Sequence, residues 1–140
     1  MSKNLISTKK ISIIVPVLNE AENIDSFIKE LNKYNEMFNY EVIFCTDPSN
    51  DGTEELLLKL SKKNPKKYKS LIMSRKFGQN ACILAGLENM SGDAAIIIDV
   101  DGQDPISLIP NFIQKEVSSA SAAVSACFLL LLLLFFQLFS

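Results

Sequence analysis

Short apolar runs alternate with helical patterns over the first hundred residues of the chain. Residues 11–17 are mostly β-branched and apolar, which is typical of a strand that is buried on both faces. Further apolar runs predict strands at residues 41–45, 71–73 and 94–98. Between the strands, apolar residues recur three or four positions apart, which predicts one helix after Ala21 and others at 53–62 and 78–90.

The helix predicted at residues 78–90 has apolar residues at helical spacing. Its spacing predicts that Ile83, Leu84 and Leu87 face the core. Gly92 follows it, as a glycine often does just past the end of a helix.

The repeated alternation of strand and helix indicates the fold class. Units of about 25–30 residues with this alternation are typical of βαβ folds. We therefore expect an α/β fold with a mostly parallel sheet that is flanked by helices on both faces. In such sheets, ligands bind beyond the carboxyl ends of the strands.

Polar residues stand in the loops at those carboxyl ends. Asn19 and Glu20 follow the first strand, Asp47 follows the second and Arg75 follows the third. An aspartate can accept hydrogen bonds from a base or a ribose, and a guanidinium can pair with phosphate. Structural alternatives stand beside these roles. Asn19 and Glu20 could cap a helix, Asp47 could hold a turn, and Arg75 could be solvated.

Two aspartates, Asp99 and Asp101, follow the fourth predicted strand with one residue between them. If the backbone stays extended, both carboxylates point the same way, because side chains alternate along a strand. Adjacent carboxylates repel each other unless a cation lies between them, and Mg²⁺ or Mn²⁺ prefers oxygen ligands and phosphate. The pair therefore suggests a site for a metal and a diphosphate, although this short motif also occurs in solvated turns.

Composition excludes several classes of function. The formal net charge is -2, which leaves no basic footprint and argues against nucleic acid as a partner. The chain has no histidine, so imidazole catalysis and histidine-bound zinc are excluded. Its three cysteines are widely spaced, which favours buried, reduced thiols.

Three segments resemble a known family. Residues 13–20 (IIVPVLNE) resemble the opening strand and loop of family 2 glycosyltransferases. Residues 74–80 (SRKFGQN), followed by 84–87 (LAGL), are similar to a segment of dolichyl-phosphate mannose synthases and their bacterial polyprenyl-phosphate relatives. Residues 98–105 (IDVDGQDP) resemble the family's metal motif. The order and spacing match as well, and the resemblance covers about residues 9–115.

The resemblance implies a GT-A fold, of which this chain holds the N-terminal half. It implies an inverting glycosyltransferase that uses a nucleotide-diphosphate sugar, a divalent metal (Mg²⁺ or Mn²⁺) and an acceptor, here a polyprenyl phosphate, in making cell-envelope polysaccharide. By position, the metal would be held by Asp99, Asp101 and Gln103. By position, the nucleotide sugar would be bound by Pro16, Glu20, Asp47, Arg75 and Asp99.

The chain departs from the family pattern in two places. Residues 46–49 read TDPS, where an acidic residue followed by Asp-Gly-Ser is usual, and Gly102 stands where a larger residue is common. The resemblance ends near residue 115, whereas the family's acceptor site and general base lie beyond that point. We therefore identify no catalytic base and expect a truncated chain whose activity is open.

Charge divides the chain into three parts. Residues 1–8 form a polar tail, residues 9–116 form the partial nucleotide-sugar-binding domain, and residues 117–140 contain no charged side chain. The last part is long enough for an apolar helix that spans a membrane. That reading places the protein on the cytoplasmic face of the membrane. The alternative is an apolar tail that only aggregates, on a cytoplasmic protein.

Two other functions remain as alternatives. A haloacid-dehalogenase-type phosphatase also begins with an apolar strand and Asp-x-Asp-Gly, but Gln103 replaces its usual Thr or Val and too little chain follows. The other alternative is a non-catalytic fragment that binds nucleotide. The donor base, the sugar, the acceptor and the oligomeric state are left open by the sequence.

Overall fold

The computed structural model describes residues 7–103 and 105–118, in which strands and helices alternate. The strands are β1 (Ser7–Val17), β2 (Phe38–Thr46), β3 (Tyr68–Ile72) and β4 (Ala94–Ile97). The helices are α1 (Ala21–Asn32), α2 (Thr53–Lys63), α3 (Gln79–Glu88) and α4 (Ile109–Ser118), with a 3-10 helix (Ile106–Leu108) before α4. The predicted α/β class is confirmed.

The four strands form one parallel sheet in the order β3-β2-β1-β4. Strand β1 lies inside the sheet, so that Ile13 pairs with Val42 of β2 on one side and with Ile96 of β4 on the other. Neighbouring β1 residues Ile13 and Ile14 are both fully buried although they point to opposite faces. This burial explains why the run at 11–17 is apolar at nearly every position.

Helices cover both faces of the sheet, as predicted. On one face, alternate residues of β1 join a core cluster with Phe27 of α1, Leu57 of α2 and Ile113 of α4. On the other face, α3 packs against Ile14 through Gly86. Connections between parallel strands take this form because each helix must bury one apolar side against the sheet.

Gly86 determines how closely α3 approaches the sheet. A Cβ atom at this position would lie 2.5 Å from Cγ2 of Ile14, which is closer than any real contact between carbon atoms. Only a glycine therefore allows α3 to lie this close to β1 without displacement of Ile14.

The prediction that Leu84 faces the core is wrong. Leu84 is 61% exposed, whereas its neighbours Cys82 and Ile83 and the nearby Gly86 are buried. Since α3 is apolar on nearly every side, its periodicity does not identify one inward face, and the close contact at Gly86 decides the orientation.

Several predicted boundaries also differ from the structure, and β1 begins at Ser7 rather than at residue 11. Strand β3 covers Tyr68–Ile72 rather than residues 71–73. Helix α3 ends at Glu88 with Asn89 as its C-cap, so Gly92 is not a helix cap. Gly92 instead lies against β1, where a Cβ atom would come within 2.6 Å of Ser12 Oγ.

A buried carboxylate joins three elements at the amino-terminal end of the sheet. Glu41 of β2 is 1% exposed, and it accepts hydrogen bonds from Ser12 Oγ (2.7 Å), Ser91 N (2.7 Å) and Ser91 Oγ (2.8 Å). The ammonium groups of Lys10 and Lys69 lie 3.0 and 3.2 Å from its Oε2 atom. Burial alone would raise the pKa of Glu41, but these hydrogen bonds outweigh burial and hold the pKa below its usual value.

The predicted apolar helix of residues 117–140 lies almost wholly outside the described residues, which end at Ser118 of α4. Among the helices of residues 7–103 and 105–118, none has the length and apolar character needed to cross a bilayer.

Candidate functional site

The loops at the carboxyl ends of β1, β2 and β4 surround a cleft of about 360 Å³. Of the predicted site residues, Pro16, Glu20, Asp47, Asp99 and Asp101 line it. The remaining lining residues come from the ends of β1 and β4, from the loop between β3 and α3 and from the first turn of α3: Val17, Leu18, Lys76, Gly78, Gln79, Cys82 and Val100. The predicted convergence of polar residues at this edge of the sheet is therefore observed.

Asp47 holds the loop that precedes α3. Its side chain is almost fully buried, and its two oxygens accept hydrogen bonds from the backbone amides of Phe77 (3.0 Å) and Gly78 (2.8 Å). The structural alternative considered for Asp47, a turn aspartate, thus describes these contacts. A role in binding the nucleotide stays a prediction.

Asp99 and Asp101 both line the cleft, but the backbone between them is not extended as the sequence predicted. Strand β4 ends at Ile97, and the chain turns at Val100 and Asp101. Val100 is buried in the core cluster, and the two aspartates on either side of it line the cleft. A buried apolar residue between them thus turns both acidic residues towards the same opening.

Each of the two carboxylates accepts a hydrogen bond from a nearby residue. Gln79 Nε2 donates to Asp99 Oδ1 at 3.2 Å, and the backbone amide of Gln103 donates to Asp101 Oδ1 at 3.0 Å. The pair also borders a second cleft of about 400 Å³ between α1 and the 3-10 helix. A ligand can therefore approach the carboxylates from either side of the loop.

The donor atoms of the site suit a hard cation that shares its ligands with a phosphate. Among the described residues, no group of three or more acidic, cysteine or histidine side chains could enclose a metal ion. Asp99 and Asp101 supply carboxylate oxygens only. Mg²⁺ in particular is commonly bound through one or two carboxylates while water and substrate phosphates complete its shell.

The wall formed by Glu20 is fixed by the loop after β2. Asp51 accepts hydrogen bonds from the backbone amides of Ala21 and Thr53, both at 3.0 Å, and so joins the first turns of α1 and α2. Thr53 Oγ1 in turn accepts a hydrogen bond from the Glu20 amide at 3.0 Å. The Glu20 side chain accepts a hydrogen bond from Asn23 Nδ2 at 2.6 Å. These contacts hold Glu20 at the cleft.

Asn19 connects the same two loops from outside the cleft. It has a positive φ of 53°, and its Oδ1 atom accepts a hydrogen bond from the Asn50 amide at 3.0 Å. Its own amide donates to Ser49 Oγ at 3.2 Å. Its role is to join the loops, and it does not cap α1.

Two predicted site residues are not among those that line the cleft. The Arg75 guanidinium lies over the Phe77 ring, 4.7 Å from its centroid. Gln103 is exposed, and its backbone amide is directed to Asp101. Lys76, which the sequence interpretation did not single out, does line the cleft. Lys76 lies between Arg75 and Phe77 in the motif that carries the family resemblance, and this position could have identified it as a candidate site residue.

Two buried thiols lie at or near the cleft, and Cys82 is one of its lining residues. Cys45 and Cys82 are both free and buried, and Cys82 Sγ lies 3.8 Å from Asp47 Oδ1. Burial raises the pKa of Cys45 to about 12 and also raises the pKa of Cys82. Both thiols stay protonated at neutral pH, which suits a role in packing. The third cysteine, Cys127, lies outside the described residues.

The family model described as "Glycosyl transferase family 2" matches residues 12–128 of the chain. The match continues beyond residue 115, where the motif resemblance was expected to end. A bactoprenol glucosyl transferase of Shigella phage SfV is 42% identical over 118 residues, which are 83% of this chain and 38% of that protein. An undecaprenyl-phosphate 4-deoxy-4-formamido-L-arabinose transferase of Salmonella choleraesuis (strain SC-B67) is 34% identical over 109 residues, 76% of this chain and 33% of that protein.

A solved structure, that of S. aureus TarS, shares the fold. Its TM-score is 0.57 at 23% sequence identity, and the match covers 77% of this chain and 20% of TarS. At this identity, the likeness concerns the fold alone. The matched part of the chain spans 38% and 33% of the length of the two curated relatives named above.

Proposed function

Because the chain belongs to glycosyl transferase family 2, we propose that residues 9–116 are the nucleotide-sugar-binding part of an inverting glycosyltransferase with a GT-A arrangement. The observation that carries this proposal is the meeting of Pro16, Glu20, Asp47, Asp99 and Asp101 in one cleft at the carboxyl edge of a parallel sheet. Nucleotides bind at this edge in open α/β sheets.

The cleft divides into a part for the nucleoside and a part for the diphosphate. Pro16, Glu20 and Asp47 offer an apolar surface and acceptor oxygens near the ends of β1 and β2, where a nucleoside would lie. Asp99 and Asp101 would hold Mg²⁺ or Mn²⁺ against the diphosphate. When bound, the metal would act as a Lewis acid on the oxygens of the departing nucleoside diphosphate. The described residues of this chain bind and orient the donor, and we assign no catalytic base among them.

Two names among the relatives support the proposed acceptor. They describe one protein that transfers glucose to bactoprenol and another that uses undecaprenyl phosphate. We propose that the acceptor here is also a polyprenyl phosphate, which would place the enzyme at the cytoplasmic face of a membrane. A membrane contact through residues 117–140 is also part of this proposal, because that segment contains no charged side chain. Those residues lie almost wholly outside the described part of the chain.

The alternative of a nucleotide-binding fragment without turnover is distinguished from the enzyme by the measurement of transfer described below. The haloacid-dehalogenase alternative has no support from the comparisons, which favour the glycosyltransferase interpretation.

Calorimetric titration of the 140-residue chain tests the donor site. UDP-glucose and GDP-mannose are titrated with and without Mn²⁺, against the wild type and the double variant Asp99→Asn/Asp101→Asn. We expect binding that requires Mn²⁺ and is lost in the double variant. Asp25→Asn, at an exposed position of α1, is the matched control and should bind as the wild type does. Absence of binding to a folded wild type, or binding that is unchanged in the double variant, would contradict the proposed site.

Turnover is measured separately. The chain is incubated with radiolabelled UDP-glucose, Mn²⁺ and undecaprenyl phosphate in detergent, and the label in the organic phase is counted. Transfer above that of the double variant would support the enzyme. Donor binding without transfer would favour the binding fragment.

A further inference from the structure

We propose that Lys76, rather than Arg75, is the cation of this chain that faces the diphosphate of the donor. The inference rests on the proposed function and identifies one donor-binding residue that neither the sequence interpretation nor the comparisons assign. Arg75 and Lys76 are neighbours in the chain, but only Lys76 lines the cleft.

The positions of the two residues relative to the cleft carry the argument. Lys76 lines the cleft together with Gly78 and Gln79, which lead into α3. The Arg75 guanidinium is stacked on the Phe77 ring, and Arg75 is not a lining residue. An arginine stacked on an aromatic face has a favourable contact that it would lose by turning towards the cleft.

The charge of the cleft gives the second reason. The described residues that line it include four acidic residues, Glu20, Asp47, Asp99 and Asp101, and Lys76 is the only basic one. A nucleoside diphosphate brings further negative charge into this acidic surrounding. A divalent cation at Asp99 and Asp101 would offset part of it, and Lys76 offers the remaining positive charge.

Lys76 also makes no polar contact that would stabilise the described part of the fold. Other lysines form ion pairs: Lys10 and Lys69 with Glu41, and Lys33 with Glu30. Lys76 is exposed and makes no hydrogen bond or ion pair with any residue in 7–103 or 105–118. Its removal should therefore leave stability nearly unchanged, which makes a loss of binding interpretable.

The ammonium group predicts a particular kind of contact. A lysine acts on phosphate as a flexible point charge, whereas arginine makes a fixed two-pronged contact. Such a contact at a partly exposed site should be sensitive to salt. It should also favour a diphosphate over a monophosphate, because the second phosphate adds charge.

The test compares three variants of the 140-residue chain by titration with UDP-glucose in the presence of Mn²⁺. Lys76→Gln should weaken binding roughly five- to twentyfold, the range expected when one charge-assisted contact is lost. Lys63→Gln, at the exposed end of α2, is the matched control and should bind like the wild type. Arg75→Gln is the discriminating variant and should change affinity less than about twofold. Far-UV circular dichroism melts establish that all variants are folded.

Salt and ligand charge supply readouts that a purely structural role would not change. Between about 0.05 M and about 0.5 M salt, wild-type affinity should fall more steeply than that of Lys76→Gln. The ratio of UDP to UMP affinity should also be smaller in Lys76→Gln than in the wild type.

Each outcome separates this inference from the proposed function. If the wild type binds and Lys76→Gln binds equally well, the inference is wrong while the donor site stands. If Arg75→Gln loses affinity and Lys76→Gln does not, the inference is wrong and the sequence prediction that Arg75 binds the nucleotide sugar is supported instead. If the folded wild type binds neither UDP-glucose nor GDP-mannose, both the donor site and the inference are overturned.

Discussion

Replacement of Glu41 by glutamine should destabilise the chain strongly at neutral pH and hardly at all in strong acid. The substitution keeps the size of the side chain and removes its charge. In the folded state, Glu41 accepts hydrogen bonds from Ser12 and Ser91 and lies beside the ammonium groups of Lys10 and Lys69. A glutamine would retain one acceptor oxygen, but its amide group would face a lysine that needs an acceptor.

The magnitude follows from burial and from the exposure of the partners. Breaking a fully buried ion pair costs about 3–5 kcal/mol, because one charge is left without compensation. Here the carboxylate side chain is 1% exposed, while the side chains of Lys10 and Lys69 are 30% and 35% exposed and can return to water. We therefore expect a smaller loss, about 2–3 kcal/mol at pH 7, which is a large part of the stability of a small domain.

The pH dependence has a definite sign. The pKa of Glu41 is lowered in the folded state, whereas an unfolded glutamate titrates near about 4.3. The stabilisation by Glu41 is therefore complete above the unfolded pKa and is lost as the pH falls towards the folded pKa. The difference in stability between the wild type and Glu41→Gln should consequently shrink as the pH is lowered below about 4.

Urea unfolding of the two proteins, followed by circular dichroism at several pH values, measures this difference. With a slope of roughly 1 kcal/mol per molar urea, the midpoint at pH 7 should fall by about 2–3 M. Glu30→Gln removes an exposed partner of Lys33 and should cost less than about 0.5 kcal/mol. Equal midpoints for the wild type and Glu41→Gln at pH 7, or a difference that does not vary with pH, would refute the reasoning.

Two further predictions concern packing around α3. Gly86→Ala should lower stability by about 1–2 kcal/mol in urea unfolding, since overpacking against Ile14 outweighs the gain in helix propensity. Adding Ile14→Ala should cost less than the sum of the single variants, and strict additivity would argue against a direct contact. In a Cys127→Ser background, Cys45 and Cys82 should react with a chromogenic disulfide reagent only in denaturant, because burial raises the pKa of both thiols. Rapid reaction of the native protein at pH 8 would show that the helix opens readily.

The parts of the fold that follow from local pattern were predictable from sequence. Strand β1 and the order of strands and helices are encoded in apolar runs and turn residues, which act over a few neighbours. The predicted start of strand β3, at residue 71, was too late because Tyr68, Lys69 and Ser70 do not form an apolar run. They form a strand through backbone pairing with β2, a contact that hydrophobic pattern does not record.

The candidate site was predictable in its location but not in its details. Parallel topology alone brings Glu20, Asp47 and Asp99 to one edge of the sheet. The choice between Arg75 and Lys76 depends on a stacking contact with Phe77, which neither residue type nor spacing specifies. The ion pairs of the buried Glu41 carboxylate could also have been expected from the sequence, because an acidic residue inside an apolar strand is seldom buried without partners.

The position of β1 inside the sheet has a consequence for synthesis of the protein. One edge of β1 can pair with β2 soon after both leave the ribosome, but the other edge must wait for β4. The Lys10 backbone amide, for example, donates a hydrogen bond to Oδ2 of Asp93, which lies 83 residues further along the chain. Until then, an apolar strand edge is open to other chains, and nascent polypeptides that meet at this stage are prone to aggregate. Crowded translation should therefore lower the yield of folded protein more than its final stability would suggest.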